Sequence, residues 1–174
     1  MLLHPALVPL ASIPGEFHAY SWSNLLMVCW PVQSTASSVR LLTNLRAEFA
    51  EAHPEGTSLV HISAEASRPD AETSAAWVAM MKQYREQIGC IAVLTLASGF
   101  ETSLLHSWAT EKRRVAAPGT FKMRFYTTVD ALSEWLPAEH ERRTGVHLDR
   151  GRLVMHLGQL VKLTQTDAAE TAAG

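Results

Sequence analysis

The sequence predicts an α/β fold on a mixed sheet of about five strands, and three observations carry that expectation. Short, β-branched apolar runs alternate with segments of helical periodicity, the pattern of strand and helix units packed in layers. The most strand-like runs are apolar throughout, as strands covered on both faces are. The length, 174 residues, suits one domain with enough core to stand without disulfides.

Residues 1–16 (MLLHPALVPLASIPGE) read as an extended apolar arm, because Pro5, Pro9 and Pro14 fix φ and remove amide donors. The same prolines, and the lack of any Lys or Arg before Arg40, argue against a secretion signal, so the expected location is cytoplasmic. EFHAYSWSNLLMVCW alternates first and then turns continuously apolar, which predicts two strands meeting at Ser23-Asn24. From Thr35 to His53, Val39, Leu42, Leu45, the aliphatic stem of Arg46 and Phe49 recur at helical spacing, and His53-Pro54-Glu55-Gly56 ends the helix.

Ser58–Ser63 (SLVHIS) reads as a strand, and Asp70–Gln87 as a second helix with Trp77, Met81, Tyr84 and Ile88 on one face. CIAVLTLA, residues 90–97, is the central strand. Ser98 and Glu101 form a capping-box pattern before a third helix that runs to about Val115 with Leu104, Leu105 and Trp108 inward. Phe121–Tyr126 alternates as a last strand, and Thr127-x-x-Asp130 opens the short helix VDALSEWL. Residues 137–165 predict a C-terminal helical extension, its apolar stripe (Leu153, His156, Leu157, Leu160, Val161 and Leu163) destined for the domain or a partner subunit. Residues 166–174 read as a frayed, disordered tail.

Composition narrows the function classes. With 47% hydrophobic and 18% charged residues and a net charge of −2, the chain lacks the basic footprint of a nucleic-acid binder. Lys112, Arg113 and Arg114 read as a solvated helical face. No segment has the roughly 20 apolar residues of a membrane span. The two cysteines fall near the end of one predicted strand (Cys29) and the start of another (Cys90), too far apart for a disulfide if those strands run parallel, and read as buried thiols.

No glycine-rich loop, H-E-x-x-H, C-x-x-C or G-x-S-x-G pattern occurs, and no Ser/His/acid trio can be assembled from spacing alone. The expectation is therefore no catalytic residues, no metal and no cofactor. His61, His106 and His156 read as packed residues, and Glu139-His140-Glu141 as solvated surface. Trp22, Trp30, Trp77 and Trp108 are candidates to line an apolar pocket, with plain core packing as the alternative.

The element order, together with FKMRFYTTVDALSEWL and its Phe125, Val129, Ala131, Leu132, Trp135 and Leu136, resembles the end of bacterial STAS-like domains, the fold of anti-sigma-factor antagonists. The resemblance covers residues 17–136. It implies helices packed mainly on one face of a mixed sheet, and a non-enzymatic regulatory or scaffolding module that binds a protein partner, here as a homo-oligomer. The second reading is a small-molecule or lipid binder.

In that family a serine at the start of the second helix is phosphorylated, and Ser63 and Ser67 stand nearest its place. The family pattern Asp-x-Ser with small residues following is replaced here by His61-Ile62-Ser63-Ala64-Glu65-Ala66-Ser67. Ser67 has a structural alternative as the N-cap of the second helix, ahead of Pro69 and Asp70.

Overall fold

The computed structural model describes residues 6–174. Six strands form one sheet in the order of the chain: β1 (Val8–Ile13), β2 (Phe17–Trp22), β3 (Leu25–Trp30), β4 (Thr57–Ser63), β5 (Ile88–Thr95) and β6 (Lys122–Tyr126). The first three pair antiparallel, and β3 to β6 run parallel. Helices α1 (Ala36–Ala52), α2 (Ala71–Tyr84) and α3 (Phe100–Ala116) make the crossovers; α4 (Val129–Thr144) and α5 (Arg150–Ala173) follow β6.

The α/β class and mixed sheet stand, with six strands in place of about five. The extra strand comes from the predicted arm, whose first five residues lie outside the described ones. Its prolines do not prevent pairing, because an edge strand needs amide donors on one side only. The register also breaks at a bulge between Pro9 and Ala11.

Crossovers between parallel strands share one hand, and α1, α2 and α3 pack on the same face, over Leu26, Val28, Leu59 and Ile91. The reverse face, carrying Met27, Cys29, Val60, Ala92 and Leu94, is equally apolar and is covered by α4 and α5. Three helices thus share one face and two the other. Leu153, His156, Leu157 and Leu160 of α5 are buried on the chain's own sheet.

Two helix ends run beyond the sequence expectation. The short helix ending at Leu136 continues through Pro137 to Thr144. Burial of Leu132, Leu136 and His140 along its length outweighs the roughly 3 kcal/mol that an internal proline costs. The tail predicted to be disordered is helical to Ala173, since its alanines are strong helix formers and Asp167 is tied to His18 on β2.

Asp70, not Ser67, caps α2, its carboxylate accepting from Thr73 N at 2.7 Å. A carboxylate at an N-cap also complements the helix dipole, which a hydroxyl does not. Gly99, at φ 103°, replaces Ser98 as the cap of α3, and Thr128 caps α4.

Candidate functional site

A cavity of about 100 Å³ lies at the carboxyl ends of the parallel strands, between the sheet and helices α2 and α3. Ligands of open α/β sheets bind at this end, where loops leave the strands. Its walls are mostly apolar: Trp30 from β3, Trp77 and Met81 from α2, Trp108 from α3, Val93 from β5 and Phe125 from β6. The end of β4 adds Ser63, and the loops after β3 and β4 add Gln33, Ser34, Glu65 and Ser67.

The three tryptophans are held by their own N–H groups. Trp30 donates to His61 Nδ1, Trp77 to Ser34 Oγ and Trp108 to Ser74 Oγ, each at 3.2 Å. Trp77 also stands edge-on to Trp30, with centroids 5.7 Å apart. With every indole donor satisfied within the fold, the rings offer the cavity apolar surface. Trp22, the fourth candidate, is elsewhere: it lies on the reverse face, 5.1 Å from the ring of His156, and its Nε1 has no partner.

The polar side of the cavity is built on β4. His61 is 7% exposed, and burial, reinforced by the charge of Arg46, pushes its pKa down to about 3, so it is neutral. Because Nδ1 accepts from Trp30, the ring proton resides on Nε2. Ser63 donates to the Glu65 carbonyl, and the buried Ser67 hydroxyl has no partner. The two serines considered for phosphorylation and three of the four tryptophans considered for a pocket therefore line one cavity. In this conformation Ser67 Oγ is sealed from solvent.

Arg46 is the residue that sequence reasoning missed, because its position on the inner face of α1 was attributed to its aliphatic stem. The whole side chain is buried, and Nε, Nη1 and Nη2 all lack partners. Its guanidinium sits 5.5 Å from the Tyr84 ring centroid. Burial lowers its pKa to about 10, so it stays charged at neutral pH, at a desolvation cost of several kcal/mol.

At the opposite, amino ends of the same strands lies a closed polar network. Asn24, in the β2–β3 turn, donates from Nδ2 to Gly56 O at 2.8 Å, which leaves Oδ1 to accept from His140 Nε2 at 2.7 Å. His140 Nδ1 then accepts from Ser58 Oγ at 2.8 Å, and that oxygen accepts from Cys90 N at 3.1 Å. His140, expected on the surface, is fully buried, and burial pushes its pKa down to about 4. Gly89 is required beside it, since a Cβ there would meet Ser58 Oγ at 2.8 Å. Burial also lifts the Cys29 and Cys90 thiols to about 12, so both stay protonated.

The fold also assembles the trio that spacing did not. Ser12 Oγ lies 2.7 Å from His18 Nδ1, and His18 Nε2 bonds Asp167. It borders neither the cavity nor the closed network, and it clasps the end of α5 to the β1–β2 hairpin. Among the described residues no cluster of three His, Cys, Asp or Glu could hold a metal, and no helix is long and apolar enough to cross a membrane.

Fold and site together describe an α/β domain with an aromatic-walled cavity at the carboxyl ends of its strands. No protein-family description, curated protein or solved structure matches the chain.

Proposed function

We propose that the chain is a regulatory binding domain whose cavity takes a small apolar ligand. The supporting observation is the convergence of Trp30, Trp77 and Trp108 from three separate elements on one apolar space, each ring fixed by its own hydrogen bond. Binding rather than turnover suits the cavity, because its one histidine is neutral and tied to an indole. Native mass spectrometry and thermal shifts across a panel of small aromatics, short branched acids and lipids test this; no bound species and no shift would remove it.

The protein-binding reading, with the STAS-like resemblance and a homo-oligomer in the cytoplasm, has one observation of its own. Phe100 and Leu104, 76% and 44% exposed, lie one turn apart on α3, the helix that also supplies Trp108. A pull-down that depends on both residues would favour it, as would phosphate found on Ser63 or Ser67. A clean monomer at high concentration counts against the oligomer.

A further inference from the structure

His61 brings one directed polar group to the cavity. Its Nδ1 accepts from Trp30 Nε1 at 3.2 Å, so the ring is neutral and its proton is on Nε2. That N–H finds no acceptor within the fold, yet it is not sealed in as the nitrogens of His156 are. Nε2 thus borders open space although the residue is only 7% exposed, and the space that His61 lines is the cavity.

The other polar side chains of the lining are engaged or closed off. Gln33 donates to the Arg68 carbonyl, Ser63 donates to the Glu65 carbonyl and Ser34 accepts from Trp77. The Ser67 hydroxyl is unpartnered but sealed. An incoming molecule therefore meets one free donor among apolar walls, and completing that donor takes an acceptor.

The acceptor has to be uncharged. An ammonium group accepts nothing. A carboxylate accepts, but taking an ion out of water costs far more than taking a neutral group, and a cation close by is needed to offset it. Among the described residues the charged side chain on the lining is Glu65, which is exposed and of the wrong sign. A neutral oxygen is what remains.

We propose that the cavity binds a short-chain neutral ketone, aldehyde or alcohol, its oxygen accepting from His61 Nε2–H and its carbon chain held among Trp30, Trp77 and Trp108. This rests on the cavity being a ligand site. At about 100 Å³ the space is smaller than the roughly 150 Å³ that holds benzene in a lysozyme core, which leaves room for about four non-hydrogen atoms.

A ligand of that size binds no more tightly than about 40 µM, so the test uses the full chain at pH 7 with millimolar probes of one branched shape. These are acetone and isopropanol, the hydrocarbon isobutene, acetate as the anion and isopropylamine as the cation, with toluene as an oversized control. Thermal shift reads binding, and the histidine nitrogen resonances read contact at Nε2. Acetone and isopropanol are expected to bind at least tenfold more tightly than acetate or isopropylamine, and toluene not at all. Both should move the His61 Nε2 resonance in the direction of a new hydrogen bond, which isobutene should not. In His61→Gln, whose amide can still accept from Trp30 and donate to the cavity, the preference for acetone over isobutene should survive. In His61→Leu it should fall about fivefold.

Charged probes that bind as well as acetone, or an Nε2 resonance that acetone does not move, would overturn the inference and leave the cavity a ligand site. So would binding by toluene alone, or a folded His61→Leu that keeps the full preference. No binding by any probe would overturn the inference and count against the cavity as a ligand site as well. Should His61→Leu fail to fold, the Nε2 resonance of the wild-type protein decides.

Discussion

The two ends of the parallel strands treat polar groups in opposite ways. At the amino ends, Asn24, Ser58, His140 and the Cys90 amide pair off completely in a space with no room even for a Cβ on Gly89. At the carboxyl ends, the same β3 and β4 lead to His61 Nε2 and the Ser67 hydroxyl, which find no partner within the fold beside a cavity. A buried polar group without a partner is costly, so the closed network around His140 serves stability, although the neighbouring Thr57 hydroxyl is unpartnered, while the cavity leaves the Ser67 hydroxyl for something else to complete.

Truncation should separate the ends most sharply. His140→Ala strands the Asn24 and Ser58 oxygens in a sealed hole and should cost about 4 kcal/mol in urea unfolding. His61→Ala leaves only the Trp30 N–H unmatched, beside space already open, and should cost about 1–2 kcal/mol. Equal losses would dissolve the distinction.

Acid probes the closed end next. Folded His140 stays neutral down to about pH 4, against an ordinary value of 6.5. Between those values the unfolded chain binds the extra proton, so stability is complete above about pH 6.5, falls as pH drops toward 4, and then levels for this group. The loss from His140 should approach 3 kcal/mol, read as the part of the fall in urea midpoint that disappears in His140→Ala, since His61 loses stability across the same window.

The clasp at His18 belongs to neither end and should matter less. Asp167→Asn should cost about 1 kcal/mol, with faster hydrogen exchange confined to the last turns of α5 and β3 to β5 unchanged. Smallest is Ser67→Ala, expected within about 0.5 kcal/mol of wild type, because the hydroxyl makes no bond and Asp70 supplies the cap. A loss near 1 kcal/mol would restore Ser67 as a structural residue.

Much of this was legible in the sequence where hydrophobicity alone decides. The runs LLMVCW and IGCIAVLT are buried strands because they are apolar on both faces, and helical spacing located α1 to α3. Strand β1 was obscured by prolines that an edge tolerates, and the end of α5 by small residues that fold only once Asp167 finds His18. Trp22 could have been excluded. It pairs with Leu25 across the turn and so shares its face, and Leu25 and Trp30, five residues apart on one strand, point to opposite faces.

No local pattern marks Arg46, because a long cation at a core-facing helical position reads as a stem lying along the surface. His140 was hidden by charged neighbours, Glu139 and Glu141, that say nothing about which way the third residue points.

The strand order has a consequence for how the molecule is made. Each strand docks beside its predecessor, so the sheet can grow from the amino end as the chain emerges, with short loop closures at each step. Helix α5, the last element, covers β3 and β4, which are among the earlier ones. Until it arrives, the Met27, Cys29 and Val60 face is only partly sheltered. A nascent chain halted before residue 150 would present that face to any chaperone, or to another copy of itself.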